Sequence, residues 1–327
     1  MNQQAASVSV INSLNQAGNH IQEESPVKDR VEISHRAFHV RTQAYLQNLG
    51  LVFKGQSVDF LRQMQAAHIK RYTFNNLAVI LGQELPLDSD SVFNKIVDQG
   101  RGGYCFEHNK LSFDVLKDLG FTVRLLLARV LYNQEKDVPR THRITLLTLG
   151  DKDYIVDTGF GHNCPRHPVE LTPGKVQHIG NETFRIQLHT LADTRTTEEQ
   201  RKNPARREYN LQIVKDGEFF TLYRFDLGSY TDADCLTGHF FSHRYPEAGF
   251  VNNLVVCQKN EAHVISLRNH ELHEFNGDKT DITCLTSAEH LHQLLNNTFE
   301  LETDIAVAEH LFARFSLPKL QESESDH

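Results

Sequence analysis

No run of about 18 apolar residues occurs anywhere in the 327-residue chain, which excludes a membrane-spanning helix. A basic excess is missing too. The 34 Lys and Arg stand against 42 Asp and Glu, a formal net charge of -8, so neither nucleic acid nor an anionic membrane finds the cationic surface it needs. Five cysteines, at 105, 164, 235, 257 and 284, form no CxxC pair and no regular spacing, which argues against a disulfide framework and for a reducing compartment. The first 28 residues lack the apolar core of a secretory signal. These absences lead to the expectation of a soluble, cytoplasmic protein whose partners are small molecules or proteins.

What is present is ordinary globular composition, 39% hydrophobic and 23% charged, with no internal repeat. Met1 to about Lys28 and Gln321 to His327 carry no periodic apolar residues and read as mobile tails. From Ser34 to Gly120 the pattern is mainly helical: Ser57 stands where it can cap a segment in which Val58, Leu61, Met64 and His68 recur at helical steps. Shorter helices are expected over Ser89–Asp98 and about Tyr104–Leu119, closed by Gly120. Beyond it the signal turns to strands at Phe121–Leu131, Ile144–Leu149 and Tyr154–Val156, with Gly150-Asp151-Lys152-Asp153 as a turn. Further strands are expected at Thr183–Leu188, Glu208–Val214, Phe219–Phe225 and two or three within 250–275, with a surface loop at Arg195–Arg207. Helices are expected at Ser287–Leu295 and Thr303–Phe315. The order of helices, then strands, then a mixed unit is an α+β arrangement.

The segment Arg101-Gly102-Gly103-Tyr104-Cys105-Phe106-Glu107-His108-Asn109 carries the most chemistry. Its two glycines precede a cysteine that opens an amphipathic helix. Free peptide N–H groups and the positive helix end favour a thiolate there and can hold a developing oxyanion. Most lone cysteines are buried structural residues; an electropositive, sterically open setting with Arg101 is what a catalytic cysteine needs instead. A nucleophilic thiol requires a base, and the base an orienting acceptor. His142 enters a strand after Pro139-Arg140-Thr141, and Asp157 ends the next apolar run, Tyr154-Ile155-Val156. Asp157 serves equally well as a cap for the Thr158-Gly159-Phe160-Gly161 turn. If Leu149 pairs with Tyr154, Asp157 falls opposite Leu146, on the face of His142 but not beside it, so contact needs another register or a bulge.

These residues resemble the arylamine N-acetyltransferase family, whose signature Arg-Gly-Gly-x-Cys-x-Glu-x-Asn matches Arg101 to Asn109. Phe74-Asn75-Asn76-Leu77 before it, and Val156 to Gly161 and Tyr223-Arg224-Phe225-Asp226-Leu227 after it, follow in family order, so the resemblance spans about His35 to Phe315. It implies a helical unit over 34–120, a β-barrel over 121–226 and an α/β lid over 227–320, between tails at 1–33 and 321–327. It implies a triad in which Cys105 accepts the acyl group, His142 moves protons and Asp157 holds the imidazole. Arg101, Gly102, Gly103, Asn76 and Glu107 are expected to support the nucleophile loop, and Phe74, Tyr104, Gly159, Phe160 and Gly161 to contact substrate. The implied reaction is ping-pong transfer from acetyl-CoA, a substrate rather than a bound cofactor, to a small aromatic amine or hydrazine, with no metal. The alternatives are a cysteine hydrolase or transglutaminase-like enzyme with the same triad, or an amide synthase.

The chain also departs from the family pattern. Thr73-Phe74-Asn75-Asn76-Leu77 stands where Pro-Phe-Glu-Asn-Leu is usual, so Arg101 needs another partner, for which Glu107 is the candidate. His108 replaces a usual Leu, placing a polar group at the pocket wall, and Thr158 replaces a small apolar residue. His162, Cys164 and His167 form an H-x-C-x2-H cluster, short of the four ligands a structural zinc needs and read as a loop near the site. Arg201, Lys202, Arg206 and Arg207 are read as solvated loop charges.

Overall fold

The structure is a computed structural model that describes residues 39–189, 207–277 and 279–318. The expected tails at 1–33 and 321–327, and all of the Arg195–Arg207 loop except Arg207 itself, lie outside the described residues. Helix α1 covers residues 39–48, and α2 (Val58–Arg71) starts where Ser57 predicts, with the Ser57 hydroxyl accepting from the Phe60 amide at 3.1 Å. The inward face of α2 carries Phe60, Leu61, Met64 and His68. Its apolar members pack with Tyr45, Phe93, Leu116 and Phe121, each fully buried aliphatic or aromatic side chain contributing about 1.5–3 kcal/mol. The helical region is then interrupted by a two-residue strand, β1 (Phe74–Asn75), that the sequence pattern did not announce. After α3 (Leu77–Ile80), α4 (Ser89–Phe93) is capped by Asp88 and runs on as a wider turn to Asp98. Helix α5 (Cys105–Asp118) begins on the cysteine itself.

Strands β2 (Thr122–Val130), β3 (His142–Leu149), β4 (Lys152–Val156), β5 (Val169–Glu170), β6 (Val176–Ile179), β7 (Glu182–Leu188), β8 (Glu208–Lys215) and β9 (Glu218–Asp226) form one antiparallel sheet. The strand order is β5-β4-β3-β2-β9-β8-β7-β6, so the sheet curls into a nearly closed barrel. Gln177 stitches its two edges: the amide donates to the Glu170 carbonyl and accepts from the Glu170 N–H, both at 2.9 Å. Leu126, Ile144, Ile155, Phe184, Leu211 and Leu222 fill the interior.

The last third holds α6 (Asp232–Arg244) and α7 (Gly249–Asn252), then the strands β10 (Val255–Lys259), β11 (His263–Arg268), β12 (Glu271–Asn276) and β13 (Lys279–Cys284), and finally the helices α8 (Ala288–Gln293) and α9 (Ile305–Leu311). Its sheet runs β1-β10-β11-β12-β13, so the strand Phe74–Asn75 just upstream of the nucleophile loop is the edge of the C-terminal sheet, with Phe74 opposite Cys257. Lys259, almost fully buried, ties this sheet to the barrel by donating to the carbonyls of His162 and Cys164 and pairing with Glu182 at 2.7 Å. Among the described residues no helix is long and apolar enough to cross a membrane.

Candidate active site

The hairpin register decides whether the histidine and the aspartate meet. Gly150 and Asp151 make a tighter turn than the four-residue one expected, so Leu149 pairs with Lys152 rather than Tyr154, and Thr145 with Val156. Continued one step, that register sets Asp157 opposite Ile144, a diagonal neighbour of His142 on the same face. The contact follows: His142 Nε2 lies 2.7 Å from Asp157 Oδ2, with both side chains buried.

Asp157 is held from three sides. Its Oδ1 accepts from Asn109 Nδ2 and from the Gly159 amide, both at 2.9 Å, while Oδ2 faces the imidazole. Burial alone would push this carboxyl up, but the neighbouring His142, Asn109 and the Gly159 amide outweigh it and hold it below the usual carboxylate range. Asp157 therefore caps the turn through the Gly159 amide and meets His142 at once. Asn109, the last residue of the signature, is the member whose part the sequence did not reveal. Its side-chain Oδ1 also accepts from the Thr158 amide at 2.8 Å, and the Thr158 hydroxyl meets Ser112 at 3.0 Å, which gives the unusual threonine its place in the network.

Cys105 is the first residue of α5, and its thiol donates to the Thr141 carbonyl at 3.5 Å. Gly159 lets the turn after Asp157 lie against the start of α5, since a Cβ there would lie 2.9 Å from Cys105 Cα. The expected acidification by the helix start and Arg101 is not what the structure gives. Burial pushes the thiol above its ordinary value and the charge of Asp157 adds to this, against a downward pull from the Phe106 amide. Arg101 is exposed and turned away, donating to Gln83 Oε1 at 2.5 Å. Nor does Glu107 receive it: Glu107 pairs with Lys95 at 2.6 Å and accepts from the Tyr104 amide at 3.2 Å as a helix cap.

Loop support also falls to a different asparagine. Asn75, in the usual Glu position, donates to the Arg101 carbonyl at 3.0 Å. Asn76 instead holds the C-terminal segment, donating to the carbonyls of Phe250 and Asn253 and accepting from the Val255 amide. Gly102 sits at φ +59°, and a Cβ on it would overlap the Thr73 carbonyl oxygen. Gly102→Ala therefore costs about 1–2 kcal/mol in backbone conformation before the overlap is counted. The expected result is a melting temperature lowered by several degrees with loss of activity, and an unchanged melting curve would contradict this reading.

A cavity of about 350 Å3 opens onto Cys105 and His142. Of the residues expected to contact substrate, Phe74, Gly159, Phe160 and Gly161 line it. Tyr104 does not. It is fully buried, and its hydroxyl meets His239 Nδ1 of α6. The imidazole of His142 lies between Phe160, which it meets edge-on, and Tyr223, tilted to it, with ring centroids 4.8 and 5.0 Å away. The wall also includes positions that the sequence did not mark, among them Tyr132, Phe241, Phe250 and Arg268. Of these, Tyr132 has φ +47°, a backbone state that no sequence pattern announces. In the H-x-C-x2-H cluster, Cys164 turns inward to donate to the Asp157 carbonyl at 3.1 Å, whereas His162 lines the cavity, meets Asn163 and stacks on Phe275.

Buried Cys105 shares a cavity with the buried His142–Asp157 pair, and a thiol, an imidazole and a carboxylate are the groups that cysteine-nucleophile enzymes use. The N-acetyltransferase family profile matches residues 57–308. The arylamine N-acetyltransferase of Escherichia coli K12 is 32% identical over 253 residues, covering 76% of this chain and 84% of the relative. The solved arylamine N-acetyltransferase of Salmonella typhimurium superposes with a TM-score of 0.75 at 28% identity, over 84% of this chain and 98% of that one. That of Mycobacterium marinum in complex with CoA gives 0.74 at 26% identity, over 84% and 99%. The chain belongs to the arylamine N-acetyltransferase family, enzymes that transfer acetyl groups.

Proposed function

We propose that the protein moves an acetyl group from acetyl-CoA through a thioester on Cys105 to an arylamine or hydrazine. The observation that carries this is the His142 Nε2 to Asp157 hydrogen bond, which leaves Nδ1 as the free ring nitrogen, in a cavity that Cys105 and His142 share. Because burial raises the thiol, the proton must leave to a specific base, and His142 is that base. The thiolate attacks the acetyl carbonyl, the C–S bond to CoA breaks, and the imidazolium returns its proton to the departing CoA thiolate. The amine then attacks the Cys105 thioester, His142 takes the amine proton, and the enzyme thiol is regenerated. Asp157 fixes the tautomer and offsets the imidazolium charge.

CoA binding by the M. marinum relative supports CoA as donor. The three units 34–120, 121–226 and 227–320 are proposed as the parts that close on substrate, with no permanently bound cofactor. Five unpaired thiols support a reducing, cytoplasmic compartment. Initial rates measured against amine at several fixed acetyl-CoA concentrations should give parallel double-reciprocal lines. Intersecting lines would mean a ternary complex and contradict the thioester route.

The cavity wall also bears on the acceptor. Among the described lining residues Arg268 is the one Lys, Arg, Asp or Glu, set among Phe74, Tyr132, Phe160, Phe241 and Phe250. An aromatic amine bearing a carboxylate fits such a wall. Arg268→Met should lower kcat/KM for 4-aminobenzoate by about threefold to tenfold while leaving neutral 4-aminobenzamide unchanged, with p-nitrophenyl acetate as donor. Equal effects on both amines would remove the charge argument.

A further inference from the structure

A row of buried polar side chains runs behind the nucleophile loop, and none of its members lines the cavity. Tyr45 Oη of α1 lies 2.8 Å from His68 Nδ1 of α2. His68 Nε2 lies 2.9 Å from His108 Nδ1 of α5, and His108 Nε2 lies 3.1 Å from the Gly103 carbonyl oxygen. Tyr45, His68 and His108 are each 1% exposed or less.

The direction of every bond follows from the last one. A carbonyl oxygen only accepts, so His108 Nε2 carries a proton. Burial holds both rings neutral, with His108 lowered to about 4 and His68 well below its ordinary value. Neutral His108 therefore accepts at Nδ1, which makes His68 Nε2 the donor and His68 Nδ1 an acceptor, leaving the Tyr45 hydroxyl to donate. The chain is one-way, Tyr45 to His68 to His108 to Gly103, and every ring nitrogen is satisfied.

What it ends on matters. The Gly103 carbonyl also accepts from the Asn75 backbone N–H at 2.7 Å. The other edge of the same peptide, the Tyr104 N–H, donates to Glu107 Oε2. The Gly103–Tyr104 peptide is thus clamped on both edges, immediately before Cys105 opens α5. His108 also stacks on Phe74, a wall of the cavity, with centroids 6.1 Å apart at 18°.

We propose that Tyr45, His68 and His108 are positioning residues for Cys105, acting through the Gly103–Tyr104 peptide to fix the approach of the thiol to its acyl donor. This rests on Cys105 being the acylated residue, which the mass of the wild-type protein mixed with acetyl-CoA tests separately. With the chain intact the loop holds a single arrangement. Without the Tyr45 hydroxyl, His68 keeps its proton on Nε2, where His108 still accepts it, but its buried Nδ1 has no donor and the ring is held from one side only, so His108 and the Gly103 carbonyl it binds lose their fixed position.

Two measurements test the chain. Long-range 1H–15N spectra of histidine-labelled protein should show His68 and His108 as neutral Nε2–H tautomers from about pH 5.5 to about pH 8. Tyr45→Phe keeps the ring and should lower the single-turnover rate of acylation by acetyl-CoA about threefold to tenfold, with the melting temperature little changed and the His68 Nδ1 resonance moved toward that of a ring nitrogen accepting no hydrogen bond. His108→Gln, whose amide can both accept from His68 and donate to Gly103, should recover rate that His108→Leu loses. A folded Tyr45→Phe protein acylating at the wild-type rate, or either histidine found as the Nδ1–H tautomer or charged, would overturn the proposal.

Discussion

Asp157→Asn should lower the rate of Cys105 acylation by about three to four orders of magnitude while leaving the fold in place. The surrounding donors dictate how the amide sits. Asn109 Nδ2 and the Gly159 amide both point at Oδ1, so the new carbonyl oxygen stays with them and the new NH2 is turned to His142. An NH2 only donates, so His142 must present a bare Nε2 and carry its proton on Nδ1, the nitrogen needed to receive the proton of the thiol. The geometry survives and the tautomer is wrong. Single-turnover release of CoA reads this directly, and a loss below about tenfold would mean that Asp157 does not set the tautomer. The pH dependence has a definite sign. The carboxyl is held below its ordinary 3.8 in the fold, so the stability gained from its charge is present above that value and is lost only as pH falls through the lower folded value. Acid inactivation through this group is therefore confined to pH values below its ordinary range.

Cys105→Ser should abolish arylamine acetylation, by about ten-thousandfold or more, with an unchanged melting temperature. The serine fits the same buried site beside the Thr141 carbonyl, so the fold has no reason to change. Its hydroxyl is a far weaker nucleophile than a thiolate, and a serine ester would not preserve the near-equal exchange of one thioester for another. His142→Ala should fall nearly as far, because burial and the Asp157 charge both oppose a thiolate that has no imidazole to take its proton.

Those expectations depend on how much of the site could be read from the chain. Motif residues with local causes were legible: Ser57 caps α2, Cys105 opens α5, and His142 opens the strand expected over Ile144–Leu149. The triad contact was not, because it turns on whether the hairpin closes over two residues or four, and a shift of that size leaves the face unchanged while moving the partner. The pairing of Arg101 with Glu107 failed because Lys95, one turn before the loop, reaches Glu107 first. Helix α6 escaped notice for another reason. Its buried stripe is Cys235, Gly238, His239 and Ser242, small or polar residues, while Leu236 and Phe240 face outward, so the usual apolar period is inverted. Strand β13 is exposed along its whole length and gives no alternation. The strand Phe74–Asn75 is too short to carry a pattern and is made a strand by a partner far along the chain.

The central claim is that the acyl group rests on one sulfur. Intact-mass measurement of the protein mixed with acetyl-CoA alone, followed by peptide mapping, should find a single added acetyl group, on Cys105, with one CoA released per chain and the label discharged when an arylamine is added. An unmodified Cys105 in folded, active protein, or acetyl found on another residue, would contradict the account.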